Sequence, residues 1–372
     1  MNQQAPQTTP RITSIDALRG ADMLLLAGGG ALLQTLAPWC GGDLLRHQLT
    51  HAGWAEALTC WDLVMPLFIF LVGASMPFAF AKYRQQSLGR TCWRVARRCA
   101  LLFVLGMLVQ GRLATAVPER MSLFCNTLQA IAEGYLIAAV CLMFGGVRTQ
   151  LVVCVACLAS YWAALRFVPY DGHPAGLFLP HDNLAIWVDH YLQGPWQDGT
   201  PYSWILTSLS FGALTLMGSL AGELIRRRRP GSWRTLFGLI GAAGGCMLAG
   251  YMLSWDTPII KHIYTSSMVL WSGGCCFALL AIFHLLFDYS STAAKCAYPL
   301  RVVGGNAILA YILTQTPGLH GLSLWQSICY PLFGGLAAHG GAAAGMLLEL
   351  LSLALLWAML CFLYRHKALL RV

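Results

Sequence analysis

The sequence predicts an all-α fold, a polytopic helical bundle embedded in a membrane, and two observations carry this prediction. Of the 372 residues, 57% are hydrophobic and only 10% are charged, with a mean hydropathy of +0.61. A soluble domain carries about 25% charged residues. Apolar runs of about 20 residues, long enough to cross a bilayer as a helix, recur along the whole chain.

Ten of these runs are predicted to be transmembrane helices. They are residues 15–37, 58–80, 96–113, 127–146, 150–167, 203–225, 235–253, 264–287, 302–319 and 341–364. Because ten crossings return the chain to its starting side, both termini are predicted to be cytosolic. An alternative adds segment 322–339 as a re-entrant or surface helix. Residues 1–11, rich in Gln, Pro and Thr, are predicted to be a disordered tail, and residues 12–367 to form a single transmembrane domain.

The basic residues indicate how the bundle is oriented. Most of them lie between spans two and three, between spans six and seven, and at the end of the chain. If the spans alternate, these clusters share the cytosolic side, as the positive-inside rule requires. The net charge of +9 therefore reflects topology, and we expect no nucleic acid partner. A second interpretation gives some of these arginines, such as Arg94, Arg97 and Arg98, to the phosphates of a cytosolic nucleotide cofactor.

Two short motifs are interpreted as structural. Asp16 and Arg19 in "SIDALRG" are three residues apart, so they can pair on one face of the first helix. Cys154 and Cys157 form a CxxC inside an apolar run, without the histidine or second cysteine pair of a metal site. We therefore expect no bound metal.

Four polar residues inside or at the edge of predicted spans need partners or water, because isolated polar groups are costly in lipid. Asn126, Gln129 and Glu133 fall at i, i+3 and i+7, so they project from one side of the fourth helix. Asn306 lies in the ninth span. These residues are either an internal hydrogen-bond network or the lining of a channel for a polar substrate.

His51 is the histidine nearest in sequence to a carboxylate at the edge of a span. It precedes the second span, and Asp62 enters that span eleven residues later, a separation that allows the chain to fold one side chain over the other. Imidazole, with a pKa of about 6.5, can take a proton from an amine and return it. Asp62 would orient the ring or stabilise its cation. The alternative is an interfacial histidine with a structural role.

The longest loop predicted on the non-cytosolic side is residues 168–202. It carries His173, His181 and His190 among aspartates, aromatic residues, prolines and glycines. This mixture is interpreted as a lid or a sugar-binding surface, with an ordinary solvated loop as the alternative.

Six motifs, taken in order, resemble those of the heparan-alpha-glucosaminide N-acetyltransferase family. They are "SIDALRG", His51 with Trp54, "DLVMPLFIFLVGAS", "NTLQAIAEGYLIAA", "PIIKHIYTSSMVLWSGG" and "GGNAILAYIL". The resemblance runs from about residue 12 to residue 365. It implies a transmembrane acyltransferase that takes acetyl from cytosolic acetyl-CoA and passes it to the amino group of a glucosamine-type sugar on the far side.

The resemblance also implies roles for individual residues. His51 and Asp62 would be catalytic. From the polar and basic residues described above we further predict that acetyl-CoA meets Asn126, Gln129, Arg94, Arg97 and Arg98 and that the sugar meets Trp54, Glu133, Asn306 and Lys261. Lys261 also matches a motif of the family, but the resemblance gives that motif no role. The chain departs from the family at Cys40, where members often have an asparagine, and at Ala130, where an arginine is usual.

Other functions remain as alternatives at this point. An amino-sugar transporter would use Asn126, Gln129, Glu133 and Asn306 as its binding site. A structural partner without a ligand would leave these residues unexplained. The expected partners are an amino sugar and the lipid bilayer, a homodimer is left open, and the expected location is a bacterial inner (plasma) membrane.

Overall fold

A computed structural model of the chain describes residues 12–40, 42–109, 121–228, 231–316, 322–339, 341–368 and 370. Within these residues the structure is helical and contains no β-sheet, only an isolated bridge between Tyr170 and His173. The all-α prediction is confirmed. The predicted tail, residues 1–11, lies outside the described residues, so its disorder remains a prediction.

The helices are numbered here in chain order. The first eight labels are α1 (Thr13–Leu24), α2 (Gly30–Cys40), α3 (Gly42–Gln48), α4 (Val64–Tyr83), α5 (Leu88–Val109), α6 (Thr127–Phe144), α7 (Val147–Phe167) and α8 (Leu184–Gln193). The next eight are α9 (Ser208–Arg226), α10 (Trp233–Ser254), α11 (Ser266–Phe287), α12 (Ser291–Cys296), α13 (Tyr298–Gly305), α14 (Ala307–Gln315), α15 (Ser323–His339) and α16 (Gly341–Arg365). A π-helical turn, Leu25–Gly29, joins α1 to α2, and a 3₁₀ turn, Trp61–Leu63, leads into α4.

Eight helices among the described residues are long and apolar enough to cross a membrane. They are Thr13–Cys40, Trp61–Tyr83, Thr127–Phe144, Val147–Phe167, Ser208–Arg226, Trp233–Ser254, Ser266–Phe287 and Ala343–Arg365. Each coincides with one of the ten predicted spans. The polytopic membrane architecture is therefore confirmed, while the cytosolic orientation of both termini remains a prediction.

The other two predicted spans differ from the structure. The span 96–113 corresponds to the second half of α5, and residues 110–120 lie outside the described residues. The prediction of one helix over 302–319 is wrong, because α13 ends at Gly305 and α14 begins at Ala307. Asn306, between them, has a non-helical backbone, as expected where an asparagine follows two glycines, all of them poor helix formers.

Glycines let the central helices approach closely. A methyl group on Gly73 of α4 would overlap the carbonyl oxygen of Thr215 on α9. A methyl group on Gly218 of α9 would overlap the carbonyl oxygen of Phe70 on α4. Small residues at a helix interface allow this backbone contact, which packing in a membrane depends on. The two helices form the buried centre of the bundle.

The glycines of α10 and α11 differ in whether they pack against a neighbouring helix. A methyl group on Gly273 or Gly274 would meet side chains of neighbouring helices, whereas Gly241, Gly244 and Gly245 face open space. Gly241, Gly244 and Gly245 therefore take no part in a helix contact. The outer faces of the bundle carry exposed large apolar side chains, which suits contact with lipid. Examples are Val152, Phe237, Leu248, Leu285 and Phe362.

Candidate active site

Asp62 organises the loop between α3 and α4. Its side chain is fully buried, and its Oδ2 accepts hydrogen bonds from the backbone N–H groups of Ala52 and Thr59, each at 3.1 Å. These bonds fold residues 49–60 back over the start of α4. The neighbouring His51 is thereby brought against the carboxylate.

His51 and Asp62 form the contact that their sequence separation allowed. Nδ1 of His51 lies 3.1 Å from Oδ1 of Asp62. The His51 side chain is 58% exposed, whereas that of Asp62 is 0% exposed. The ring can therefore reach a substrate while its carboxylate partner is protected from water. Its catalytic role remains a prediction.

Lys261 completes a cluster of three polar side chains. Its Nζ lies 2.6 Å from Oδ1 of Asp62 and 2.7 Å from Nδ1 of His51, and its side chain is only 8% exposed. Burial lowers the pKa of Lys261, and the Asp62 carboxylate opposes that shift. The lysine comes from the loop between α10 and α11, where Thr265 accepts the Ile260 N–H and donates to the Pro258 carbonyl.

These three side chains border a cavity of 410 Å³, which we call the His51 cavity. Its walls are mostly polar and aromatic, and include Trp61, Asn126, Asp198, Thr200, Tyr202, Tyr311 and Gln315. Asp198, Thr200 and Tyr202 belong to the segment where the loop 168–202 approaches α9. His173, His181 and His190 of that loop are exposed and are not among the lining residues.

Asp189 of α8 holds one wall of the His51 cavity in place. Its buried carboxylate accepts the backbone N–H groups of Trp204 at 2.6 Å and Ile205 at 3.0 Å. Trp204 is a lining residue. Burial raises the pKa of Asp189 to about 7, despite these two hydrogen bonds, which act in the opposite direction.

A second cavity, of 340 Å³, lies between α1, α4, α5, α6 and the break at Asn306; we call it the Arg98 cavity. Its lining includes Arg19, Ser75, Tyr83, Arg98 and Leu370. The Arg19 guanidinium donates to the Leu71 carbonyl at 3.1 Å and to the Ser75 hydroxyl. The Arg98 guanidinium stacks over the Tyr135 ring at 4.4 Å.

The two cavities follow one another along the helices. On α4 and the turn before it, residues 61–68 border the His51 cavity, and residues 68–83 border the Arg98 cavity. Among the described residues, Phe68 alone lines both. Since a helix rises about 1.5 Å per residue, Asp62 and Tyr83 lie about 30 Å apart along this axis, the thickness of a bilayer core. Phe68 is buried, with its ring 6.5 Å from that of Tyr311.

The comparison with known proteins covers the segment that carries most of these residues. The model of a family described as "Heparan-alpha-glucosaminide N-acetyltransferase, catalytic" matches residues 11–253, more than half of the chain. The chain belongs to the heparan-alpha-glucosaminide N-acetyltransferase family. The human heparan-alpha-glucosaminide N-acetyltransferase is 22% identical over 368 residues, covering 82% of this chain and 52% of the human protein. The chain thus spans about half the length of this curated relative.

Membership of the heparan-alpha-glucosaminide N-acetyltransferase family does not by itself give Lys261 a role in the site. Lys261 lies beyond the matched residues 11–253. Its position in the cluster is therefore an observation of the structure.

The predicted cofactor residues are divided between the two cavities. Arg98 lines the Arg98 cavity, Arg94 stacks over Tyr83 at its edge at 5.2 Å, and Arg97 is exposed. Asn126 lines the His51 cavity and accepts hydrogen bonds from the Leu128 N–H and the Tyr311 hydroxyl.

Gln129 lies outside both linings. Its Oε1 accepts the Cys125 N–H at 2.8 Å and the Asn126 N–H at 3.1 Å. The side chain therefore completes the N-terminal cap of α6, in agreement with the structural alternative for this residue.

Of the four residues predicted to meet the sugar, Lys261 alone borders the His51 cavity among the described residues. Trp54 stacks on His262 at 5.1 Å and donates to the Phe178 carbonyl. Glu133 is half-buried on α6, outside both linings. Asn306 accepts the Leu370 N–H at 3.3 Å beside the Arg98 cavity. The set expected for a transporter site is therefore not gathered around one cavity.

Several residues of the two cavities were not predicted from the sequence, and three of them show why. Arg19 was interpreted as the partner of Asp16, from which it lies 3.8 Å away, yet it also lines the Arg98 cavity. Phe68 sits in a continuous apolar run and carries no signal of its own. Tyr202 carried only the general signal of an aromatic, polar loop.

Among the described cysteines, Cys125 lies in the wall of the His51 cavity, and none lines the Arg98 cavity. Cys40 and Cys329 both carry free thiols, and Cys154 and Cys157 are buried in the apolar core. Within the residues that the structure describes, no three His, Cys, Asp or Glu side chains form a group that could hold a metal ion.

Proposed function

We propose that the protein is a transmembrane N-acetyltransferase that moves acetyl from cytosolic acetyl-CoA to the amino group of a glucosamine-type sugar on the non-cytosolic side. The observation that carries this proposal is the pair of cavities that meet at Phe68, one with an acid–base cluster and one with arginines. Residues 12–367 would act as one acyltransferase domain in a bacterial inner membrane.

The Arg98 cavity suits the donor. Arg19 and Arg98 lie in its wall, and exposed Arg94 and Arg97 lie on the same helix as Arg98. Guanidinium groups recognise phosphate by paired, charge-assisted hydrogen bonds. We assign the phosphates of acetyl-CoA to this arginine-rich end and its thioester arm to the cavity, pointing toward Phe68.

The His51 cavity suits an amino sugar. Trp61 and Tyr202 offer aromatic faces, and Asp198 and Thr200 offer polar groups. A cavity with aromatic walls and a few convergent polar groups is the usual form of a small-molecule site. His51, which is half exposed, would contact the amine of the sugar.

In the chemical step His51 acts as general base. The amine nitrogen of the acceptor attacks the thioester carbonyl, His51 removes a proton from that nitrogen, and the carbon–sulfur bond breaks. Direct transfer needs donor and acceptor bound together at Phe68. A route through an acetylated His51 is the second mechanism, and it would leave a labelled protein when acetyl-CoA is supplied alone.

The decisive experiment uses reconstituted vesicles with acetyl-CoA on one face and glucosamine on the other. His51→Ala should retain acetyl-CoA binding and reduce N-acetylglucosamine formation by about 10² to 10⁴, the usual contribution of general acid–base catalysis. His181→Ala is the matched control, because this exposed histidine lies outside both cavities.

Two outcomes would overturn the proposal. One is full acetyl transfer by His51→Ala. The other is passage of unmodified glucosamine across the membrane without acetyl-CoA, which would identify a transporter.

A further inference from the structure

We infer that Lys261 determines which nitrogen of His51 carries the proton and receives, through the ring, the proton removed from the acceptor amine. This inference rests on the proposed acetyl transfer. It makes Lys261 a positioning residue for the base, whereas the prediction from the sequence was contact with the sugar.

The geometry forces a competition between two donors. The Nζ of Lys261, the Nδ1 of His51 and the Oδ1 of Asp62 form a triangle with sides of 2.7, 2.6 and 3.1 Å. The other carboxylate oxygen, Oδ2, is already held by the Ala52 and Thr59 N–H groups. Lysine and imidazole therefore share one acceptor oxygen and also contact each other.

The charge of Lys261 decides the tautomer. A neutral imidazole has one protonated nitrogen and one that accepts. When the lysine is an ammonium and donates to Nδ1, the ring proton must be on Nε2, and the ring cannot accept a proton there. When the lysine is a neutral amine, Nδ1–H can donate to Nζ or to Asp62. Nε2 then has a free lone pair for a substrate in the His51 cavity.

The surroundings allow Lys261 to change charge. It is nearly enclosed, and burial lowers its pKa, while Asp62 keeps the ammonium form accessible. The other titratable groups that act on the cluster are His262, Tyr202 and Tyr264, and Asp198 lines the same cavity. Tyr264 is fully buried, and burial raises its pKa. Burial lowers the pKa of His262 and raises that of Tyr202, so both are neutral near pH 7. Lys261 is then the side chain of the cluster best placed to exchange a proton with His51.

The resulting step balances. The neutral amine of the acceptor forms a carbon–nitrogen bond with the thioester carbon. Its proton passes to Nε2, and the Nδ1 proton passes to the amine of Lys261, which becomes an ammonium beside Asp62. As the carbon–sulfur bond breaks, the thiolate takes the Nε2 proton, and Lys261 returns its proton to Nδ1.

Two substitutions separate this role from that of an ion pair. Lys261→Arg keeps a positive charge beside Asp62 but cannot lose it, because the guanidinium pKa exceeds about 12. It should hold His51 in the Nε2–H form and reduce kcat/KM by about 10² to 10⁴, as loss of the base does. Lys261→Met removes the charge, so Nδ1–H donates to Asp62 and Nε2 stays basic. We expect it to retain more activity than Lys261→Arg and to shift the acidic limb of kcat/KM to lower pH.

Other results with the same two variants would contradict the role inferred for Lys261. If Lys261 only neutralises Asp62, arginine should rescue better than methionine. Loss of the positive charge beside His51 should then move the acidic limb of Lys261→Met to higher pH, because the unneutralised carboxylate favours the imidazolium; either result overturns the inference. Acetyl-CoA binding and the melting temperature in detergent test whether each variant folds. If Lys261→Arg does not fold, the pH profile of Lys261→Met still decides. Absence of acetyl transfer by the wild-type protein would instead reject the proposed function.

Discussion

Asp62 combines two tasks in one buried side chain. One oxygen fixes the loop that carries His51, and the other oxygen contacts His51 and Lys261. Breaking a buried ion pair by removing one partner leaves the other charge unpaired, which costs about 3–5 kcal/mol. Substitutions here should therefore affect stability as well as catalysis.

We predict that Asp62→Asn lowers the melting temperature in detergent more than His51→Ala does, because only the former removes the counter-charge of Lys261. Without the carboxylate, the pKa of Lys261 falls further below its ordinary value. The destabilisation should then be greatest at low pH and diminish as pH rises and the lysine loses its proton. Equal melting temperatures for Asp62→Asn and the wild type would contradict this account.

The sequence predicted the His51–Asp62 contact because both residues lie in one short loop before an apolar run. The Lys261 contact could not be predicted in the same way. Lys261 is 210 residues from His51 and 199 from Asp62, and no local pattern relates the three. Only the packing of the α10–α11 loop against the start of α4 brings them together.

At the scale of elements, hydropathy located the membrane helices but not their interruptions. The apolar residues on either side of Asn306 continue without a gap, so a window average cannot register the break between α13 and α14. The break depends on the backbone of Gly304, Gly305 and Asn306. It is also where the Arg98 cavity is lined by glycine backbone in place of bulky side chains.

Helix α8 should make the protein's stability depend on pH. The pKa of Asp189 is about 7 in the folded state and about 3.9 in an unfolded chain. Between these two pH values the folded protein binds more protons at Asp189 than the unfolded chain does. The contribution of Asp189 to the free energy of unfolding is therefore full below pH 4 and decreases as pH rises to 7. The melting temperature of Asp189→Asn should lack this part of the pH dependence. An unchanged slope between pH 4 and 7 in the variant would exclude Asp189 as its source.

At the scale of the whole molecule, the arrangement of the two cavities is a property of tertiary packing. Helices α4, α6 and α14 each contribute residues to both cavities. Residues of the connecting loops close the His51 cavity at one end. Composition and motif order indicated a membrane acyltransferase. The division at Phe68 could not be inferred from them, because this phenylalanine is one of many apolar residues in its span.

We predict that Phe68→Ala joins the cavities and exposes the thioester to water from the His51 side. Release of free coenzyme A from acetyl-CoA without an acceptor should rise, and acetyl transfer to glucosamine should fall. A thiol-reactive dye measures the release. Phe68→Leu should behave closer to wild type, since it keeps an apolar barrier. Phe70→Ala removes the same volume from a ring that packs on Phe277, outside both linings, and controls for lost packing.

The ring of Phe68 also has an electrical consequence. If water enters both cavities, most of the transmembrane voltage falls across the short apolar layer around this side chain. A unit charge crossing that layer would gain or lose about 2.3 kcal/mol per 100 mV. The acetyl group passes to the amine as a proton passes to the coenzyme thiol, so the exchange moves no net charge across the layer, and the coenzyme phosphates stay on the Arg98 side of the ring. The acetylation rate in vesicles should therefore be insensitive to an imposed potassium diffusion potential, whereas translocation of a protonated amino sugar would respond to its sign and size.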